Sequence, residues 1–285
     1  MKVPGLLIIC IILLTSTRIV AQKYWIYDGD RQFTTDELYM MEDCGTCSKK
    51  KHFNAVKNPP DIPILSDTYA RNNKCAEMYF PGCHFSMDRN FCMKVMSQPA
   101  GQVQFPYGTD IYHAFSVYVP VDYNHDPETN LIYQFHAYPD DLGNCDNWRS
   151  PPFSITFDVD TWRIFGRYSR EKCNPDGNRS VKIMILNGQH PIVKGNWTHF
   201  VVHLIFDYNA GGRCEVWLKD AENRNPQKIV DYTGPLGYND KNPPYNYTSF
   251  GYYYSAYPGP DIKLYFDRII FAGSEESMES MMYGE

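Results

Sequence analysis

The chain predicts an all-β fold, an antiparallel β-sandwich or jelly roll, behind an irregular, cysteine-rich amino-terminal segment. Aromatic residues are abundant, with 23 Tyr, 16 Phe and 5 Trp, and such side chains favour pleated, half-buried surfaces over helices. Turn formers are equally plentiful, at 20 Pro and 19 Gly, which supplies the punctuation that many short strands need. From about Tyr112 onward, apolar and polar residues alternate in segments separated by turn signals, with no helices between them. At 285 residues, 43% hydrophobic and 21% charged, the chain can bury one large core. The same figures exclude disordered, collagenous and coiled-coil classes.

Residues 1–21 read as a secretory signal peptide: Lys2 supplies a positive start, Leu6 to Leu14 a short apolar run, and Thr15 to Ala21 a plausible cut before Gln22. The competing reading is a membrane anchor, for which the run is short. Removing the signal takes Lys2 and Arg18 from 27 basic residues, leaving 25 against 33 acidic ones, a net −8. It also removes Cys10 and leaves Cys44, Cys47, Cys75, Cys83, Cys92, Cys145, Cys173 and Cys214. An even set in a secreted chain predicts up to four disulfides, with the pairing open. Cys44 and Cys47 alone have the spacing of a redox or zinc pair, but an oxidising compartment favours disulfides. Sequons begin at Asn178, Asn196 and Asn246 and predict surface glycans.

Residues 22–98 form the cysteine-rich segment, packed on the main domain, with one short helix expected at Thr35–Met41. Residues 99–285 form the β domain. Its strands are expected near 115–119, 131–137, 153–159, 200–206, 214–218, 250–254 and 264–271, with Asn209 to Gly212 as a hairpin turn.

Two strands carry chemistry. In the first, alternation puts Leu131, Tyr133, Phe135 and Ala137 on one face and Ile132, Gln134 and His136 on the other. An amide and an imidazole two residues apart would face a ligand, or would simply be hydrogen-bonded sheet residues. In the second, Ser249, Gly251, Tyr253 and Ser255 share a face, and Gly251 leaves room for a ligand to approach the Tyr253 phenol. The alternative there is a structural tyrosine cluster. Arg149, Arg163, Arg167 and Arg213 either line a groove or are solvated surface charge.

The order Tyr112 to Pro120, Gln134-Phe-His136, Pro151 to Ile155, Gly195-Asn-Trp197, Gly212 to Leu218, Phe250 to Tyr253 and Phe266 to Ile270 resembles the jelly-roll polysaccharide lyases, the group that includes heparin lyase I and glucuronan lyase. The likeness covers roughly residues 100–275 and implies a concanavalin-like jelly roll that cleaves a uronic-acid polymer by β-elimination. It implies Gln134 as donor to the uronate carboxylate, His136 as the base that removes the C5 proton, and Tyr253 as the acid at the leaving oxygen. Tyr254, Tyr257 and Ser249 would contact substrate. In heparin lyase I a lysine stands four residues before the acid tyrosine; here that position is Ser249. With the net −8, this points away from densely sulfated substrates.

Other chemistries find no support: HExxH, GxSxG, a phosphate-cradling glycine loop and the ExDxE of jelly-roll glycosidases are absent. No cofactor is required by the sequence, though Asp140-Asp141 or Asp267 could bind the structural calcium that some relatives carry. The expected partner is an acidic polysaccharide, met by a secreted, extracellular monomer that binds neither nucleic acid nor membrane. The main alternative is a non-catalytic glycan-binding or matrix jelly roll; a glycoside hydrolase is the third reading.

Overall fold

The computed structural model describes residues 23–27, 38–44, 53–56, 75–80, 92–99, 107–123, 130–137, 139, 145–172, 174–240, 246–253 and 262–272; in the first five of these stretches, in 246–253 and in 270–272 the description is of backbone alone. Strands β1 to β5 are Lys23–Tyr27, Leu38–Cys44, Phe53–Val56, Cys75–Phe80 and Cys92–Pro99. Then come β6 Ile111–Tyr118, β7 Asn130–Ala137, β8 Phe153–Asp158, β9 Thr161–Ser169, β10 Lys182–Ile185 and β11 His190–Pro191. The chain continues with β12 Trp197–Ile205, β13 Arg213–Lys219, β14 Gln227–Thr233, β15 Gly237–Tyr238, β16 Asn246–Tyr253 and β17 Ile262–Ala272.

These strands form two sheets. One runs β14-β13-β12-β6-β17-β4-β3, with β1 also on β17; the other runs β10-β9-β8-β7-β16-β5-β2, with β11 and β15 on β9. Every pairing is antiparallel except the short β15–β9 pair. The expected jelly-roll sandwich is therefore what forms, because each sheet has one apolar face to hide against the other.

The aromatic surplus fills that interface. Phe115 of β6 stacks on Tyr133 of β7, ring centroids 4.5 Å apart, and Phe200 of β12 meets both Phe115 and Trp162 of β9. Rings of this size span the gap between sheets, so a few positions per strand suffice. His113 joins them: it is 2% exposed, stacks on Tyr133 at 4.8 Å, and its Nδ1 lies 3.1 Å from the Tyr133 hydroxyl.

Three expectations are corrected. The helix at Thr35–Met41 does not form: Leu38–Cys44 is strand β2, in register with β5 from Leu38↔Pro99 to Cys44↔Cys92. A helix this short is marginal by itself, whereas pairing with β5 over seven residues gives the segment a long-range ladder. The strict alternation of β7 also fails at its start. Ile132 belongs to the core with Tyr133 and Phe135, while Leu131 is left out of the core cluster. The cause is a register shift against both neighbours between Leu131 and Tyr133, which turns two successive side chains to one face. Finally, Cys214 is a free thiol, wholly buried in the core of β13. Burial pushes its pKa up, so it acts as a small apolar residue. The eight cysteines from Cys44 to Cys214 therefore do not all pair with one another; Cys145 does take part in a disulfide.

The amino-terminal segment contributes β1 to β5 to both sheets, so strands from either end of the chain lie side by side. The turn at Asn209–Gly212 joins β12 to β13 as expected, held by Asp207, whose carboxylate accepts from the Asn209 and Gly211 amides.

Candidate functional site

Gln134 and His136 lie on the face of β7 turned away from the core, since Tyr133 and Phe135 between and beside them enter it. Cross-strand partners share a face. Gln134 pairs with Ser154 on one side and with Ser249 on the other; His136 pairs with Tyr247. On β8, Ser154 and Thr156 are two residues apart and so share that face, and Thr156 pairs with Leu131. Leu131 in turn pairs with Tyr253. Position 253 therefore falls on the Gln134/His136 face, three residues beyond Gln134 at the level of Leu131.

The arrangement along β7 puts Gln134 between the other two candidate positions. His136 lies about 7 Å from it in one direction, and the Leu131–Tyr253 pair about 10 Å in the other. Between them on β16, Gly251 contributes no side chain. Tyr254 and Tyr257 lie outside the described residues. The phenol position nearest His136 in register is Tyr247, which sequence reading did not single out because the pairing of β16 with β7 was unknown.

Gln134 is 3% exposed and His136 half-buried. The imidazole is held in one tautomer: its Nδ1 is 2.9 Å from the Ala137 carbonyl. A carbonyl only accepts, so Nδ1 carries the proton and Nε2 keeps the lone pair. That is the form a general base needs.

Above His136 stands Trp148, its ring edge-on to the imidazole at 5.5 Å and 46% exposed. Residues 145–151 are pinned from below. Arg149 is buried with two carboxylates, Asp146 at 2.7 Å and Asp240, and its guanidinium lies over the Tyr238 ring at 4.3 Å. The Ser150 amide donates to Asn178 Oδ1 at 2.7 Å, and the Ser150 carbonyl accepts from the Tyr238 hydroxyl. A buried ion cluster thus fixes a loop that carries an exposed indole.

The four arginines separate cleanly. Arg149 is structural, Arg163 is paired with Asp158 at 2.6 Å, and Arg213 sits on the other sheet with Glu215 and Asp231. Arg167 alone bonds only neutral groups, the Pro151 carbonyl and Ser154 Oγ. Among the described residues no three His, Cys, Asp or Glu side chains cluster as metal ligands. Asp140 and Asp141 lie outside the described residues, and Asp267 is buried with Oδ1 accepting from the Arg268 amide.

The family described as Polysaccharide lyase matches residues 43–270. The chain belongs to the polysaccharide lyase family. The match spans most of the chain, including β3 to β5, and so joins the cysteine-rich segment to the β domain. No protein of curated function matches this lyase by sequence. Its fold is similar to that of an endo-β-1,4-glucuronan lyase from the fungus Trichoderma reesei, with a TM-score of 0.64 at 12% identity, covering 89% of this chain and 96% of the other. It is also similar to a marine PL-14 alginate lyase from Aplysia kurodai, with a TM-score of 0.54 at 10% identity, covering 89% of this chain and 100% of that one.

Sequence reading of this lyase missed Trp148 as well as Tyr247. The first would have needed knowledge that a loop twelve residues downstream folds back over His136; the second needed the register of a strand more than a hundred residues away. Both are long-range facts that no local pattern carries.

Proposed function

We propose that this polysaccharide lyase is secreted and cleaves a uronic-acid polymer by β-elimination, with Gln134, His136 and Tyr253 as the reacting groups. The observation that carries the reading is the register of β16 on β7, which ranges Tyr253, Gln134 and His136 along one sheet face. A uronate placed with its carboxylate over Gln134 has the imidazole towards one end of β7 and position 253 towards the other, five strand residues apart, so both groups have to lean towards Gln134 to meet on one sugar. The C5 hydrogen is weakly acidic, so charge developing on the carboxylate has to be met by a fixed donor such as the Gln134 amide. His136 Nε2 takes the C5 proton, the C4–O bond breaks as the C4–C5 double bond forms, and the Tyr253 hydroxyl protonates the departing oxygen. A phenol remains protonated at neutral pH and can serve as that acid.

The net charge and Ser249 favour weakly sulfated polymers of the glucuronan or alginate kind over densely sulfated ones. The relatives with known structures act on glucuronan and alginate by their descriptions. The amino-terminal 21 residues support export, and the exposed Asn178 is a surface position for a glycan.

Incubation with glucuronan, alginate, hyaluronan and heparan, followed by ultraviolet absorbance of the unsaturated product, tests the reaction. His136→Ala and Tyr253→Phe should each lower kcat by about 10²- to 10⁴-fold. Tyr247→Phe discriminates: if it abolishes activity while Tyr253→Phe does not, the phenol beside His136 is the acid. Glycan binding with no unsaturated product from any polymer would leave a binding module instead.

A further inference from the structure

A cation on the site face is used by none of these steps. Arg167 of β9 is half-buried, and burial lowers its pKa. Taking a guanidinium out of water is costly unless an anion compensates. Yet among the described residues its hydrogen bonds go only to the Pro151 carbonyl at 2.8 Å and to Ser154 Oγ at 3.0 Å, both from Nη1. Its Nε is buried with no hydrogen-bond partner, and the guanidinium carbon lies 5.1 Å from the Phe165 ring centre. Arg163, on the same strand, and Arg149, in the 145–151 loop, each have a carboxylate.

Its place in the lattice of the sheet is equally specific. The Arg167 amide donates to the Pro152 carbonyl, and the next β8 residue, Phe153, pairs with Phe135 beside His136. Arg167 thus stands level with His136, two strands away, roughly 9–10 Å across the sheet. Its side chain leans towards Ser154, the cross-strand partner of Gln134. Beyond it on β10, Ile183 and Ile185 pair with Arg167 and Phe165, and both are exposed, at 61% and 56%. The face therefore continues past the reacting residues as a cation flanked by apolar side chains. That combination suits a sugar with one carboxylate and a hydrogen-rich ring face. In a molecule of net charge −6 at full length, a polyanion needs such a local anchor.

We propose that Arg167, aligned by Ser154, is the carboxylate anchor for a uronate residue bound next to the one that reacts. The inference rests on the uronate-lyase reading for the identity of its ligand. A guanidinium N–H makes a strong charge-assisted bond to a carboxylate; with Nη1 fixed on Pro151 and Ser154 and Nε buried, Nη2 is the donor left for the incoming oxygen.

The test uses the full-length protein carrying His136→Ala, which binds without turnover, with and without Arg167→Gln. The probes are a glucuronate tetrasaccharide, a mannuronate tetrasaccharide and neutral cellotetraose, read by calorimetry at two salt concentrations. Arg167→Gln should weaken binding of the better acidic probe about 10- to 100-fold, flatten its salt dependence and leave cellotetraose unchanged. In the otherwise wild-type enzyme the same change should raise KM far more than it lowers kcat. Equal losses for acidic and neutral probes would mean that Arg167 only ties down Pro151. An unchanged acidic affinity, or no binding of either acidic probe to the parent, would overturn the proposal. If Arg167→Gln does not fold, Arg167→Lys serves, with a several-fold loss and retained salt dependence expected. Elimination activity is read separately in wild type: acidic binding that depends on Arg167 without unsaturated product would sink the reaction and keep the anchor.

Discussion

At the scale of single residues, the Ala137 carbonyl decides what His136 can do. By engaging Nδ1 it keeps the lone pair on Nε2, so the imidazole does not need to reorient before accepting a proton. Trp148 acts at the same scale through its exposed ring. An indole 46% open to solvent and in contact with His136 offers a surface of the kind on which the apolar face of a sugar packs. Trp148→Ala should raise KM about tenfold, the equivalent of roughly 1.4 kcal/mol of ring contact, and lower kcat much less. Trp148→Phe should recover most of the affinity. Since the ring is at the surface, the melting temperature should not move; a fall in Tm matching the fall in activity would make Trp148 a structural residue instead.

At the scale of elements, a register shift sets where along the site position 253 lies. Ser249, the partner of Gln134, and position 253 are four residues apart on β16 and share its face by alternation alone. The shift between Leu131 and Tyr133 adds the level: it sets position 253 opposite Leu131. Alternation is a local signal, so the Gln134–His136 pair was legible from residues alone. The shift is imposed by two neighbouring strands at once and was not. A local reason hid β9: Thr161–Ser169 alternates well, but it begins immediately after the tight Asp158–Asp160 turn and reads as a continuation of it. The loop 145–151 is the other element that matters, and its support can be removed without touching the sheet. Asp240→Asn leaves Arg149 buried with Asp146 as its one remaining carboxylate of the pair, at a cost on the order of 3 kcal/mol. Thermal denaturation should show the loss, and KM should rise because Trp148 is no longer held over His136. A variant with lowered Tm and unchanged KM would show that the loop keeps its place without the ion cluster.

At the scale of the whole molecule, the aromatic composition that announced two packed sheets also sets their response to acid. His113 occupies a core position on β6 where strand alternation would call for an apolar residue, stacked on Tyr133 and bonded to its hydroxyl. Burial drives its pKa down from the usual 6.5 to about 3. In the unfolded chain the imidazole takes up a proton as pH falls through 6.5; in the folded protein it stays neutral until about pH 3. The unfolded state therefore binds more protons in that window. Stability is full above pH 6.5 and falls as pH drops towards 3, by about 1.4 kcal/mol per unit from this group. Denaturant titrations at a series of pH values should show this decline, and His113→Phe should flatten it. The variant gives up the bond to Tyr133, so its stability at pH 7.5 should be lower than wild type, while the two curves converge or cross under acid. A wild-type stability independent of pH between 6.5 and 4, or a variant curve parallel to it, would show that the buried imidazole is not the group that links folding of the sandwich to protons.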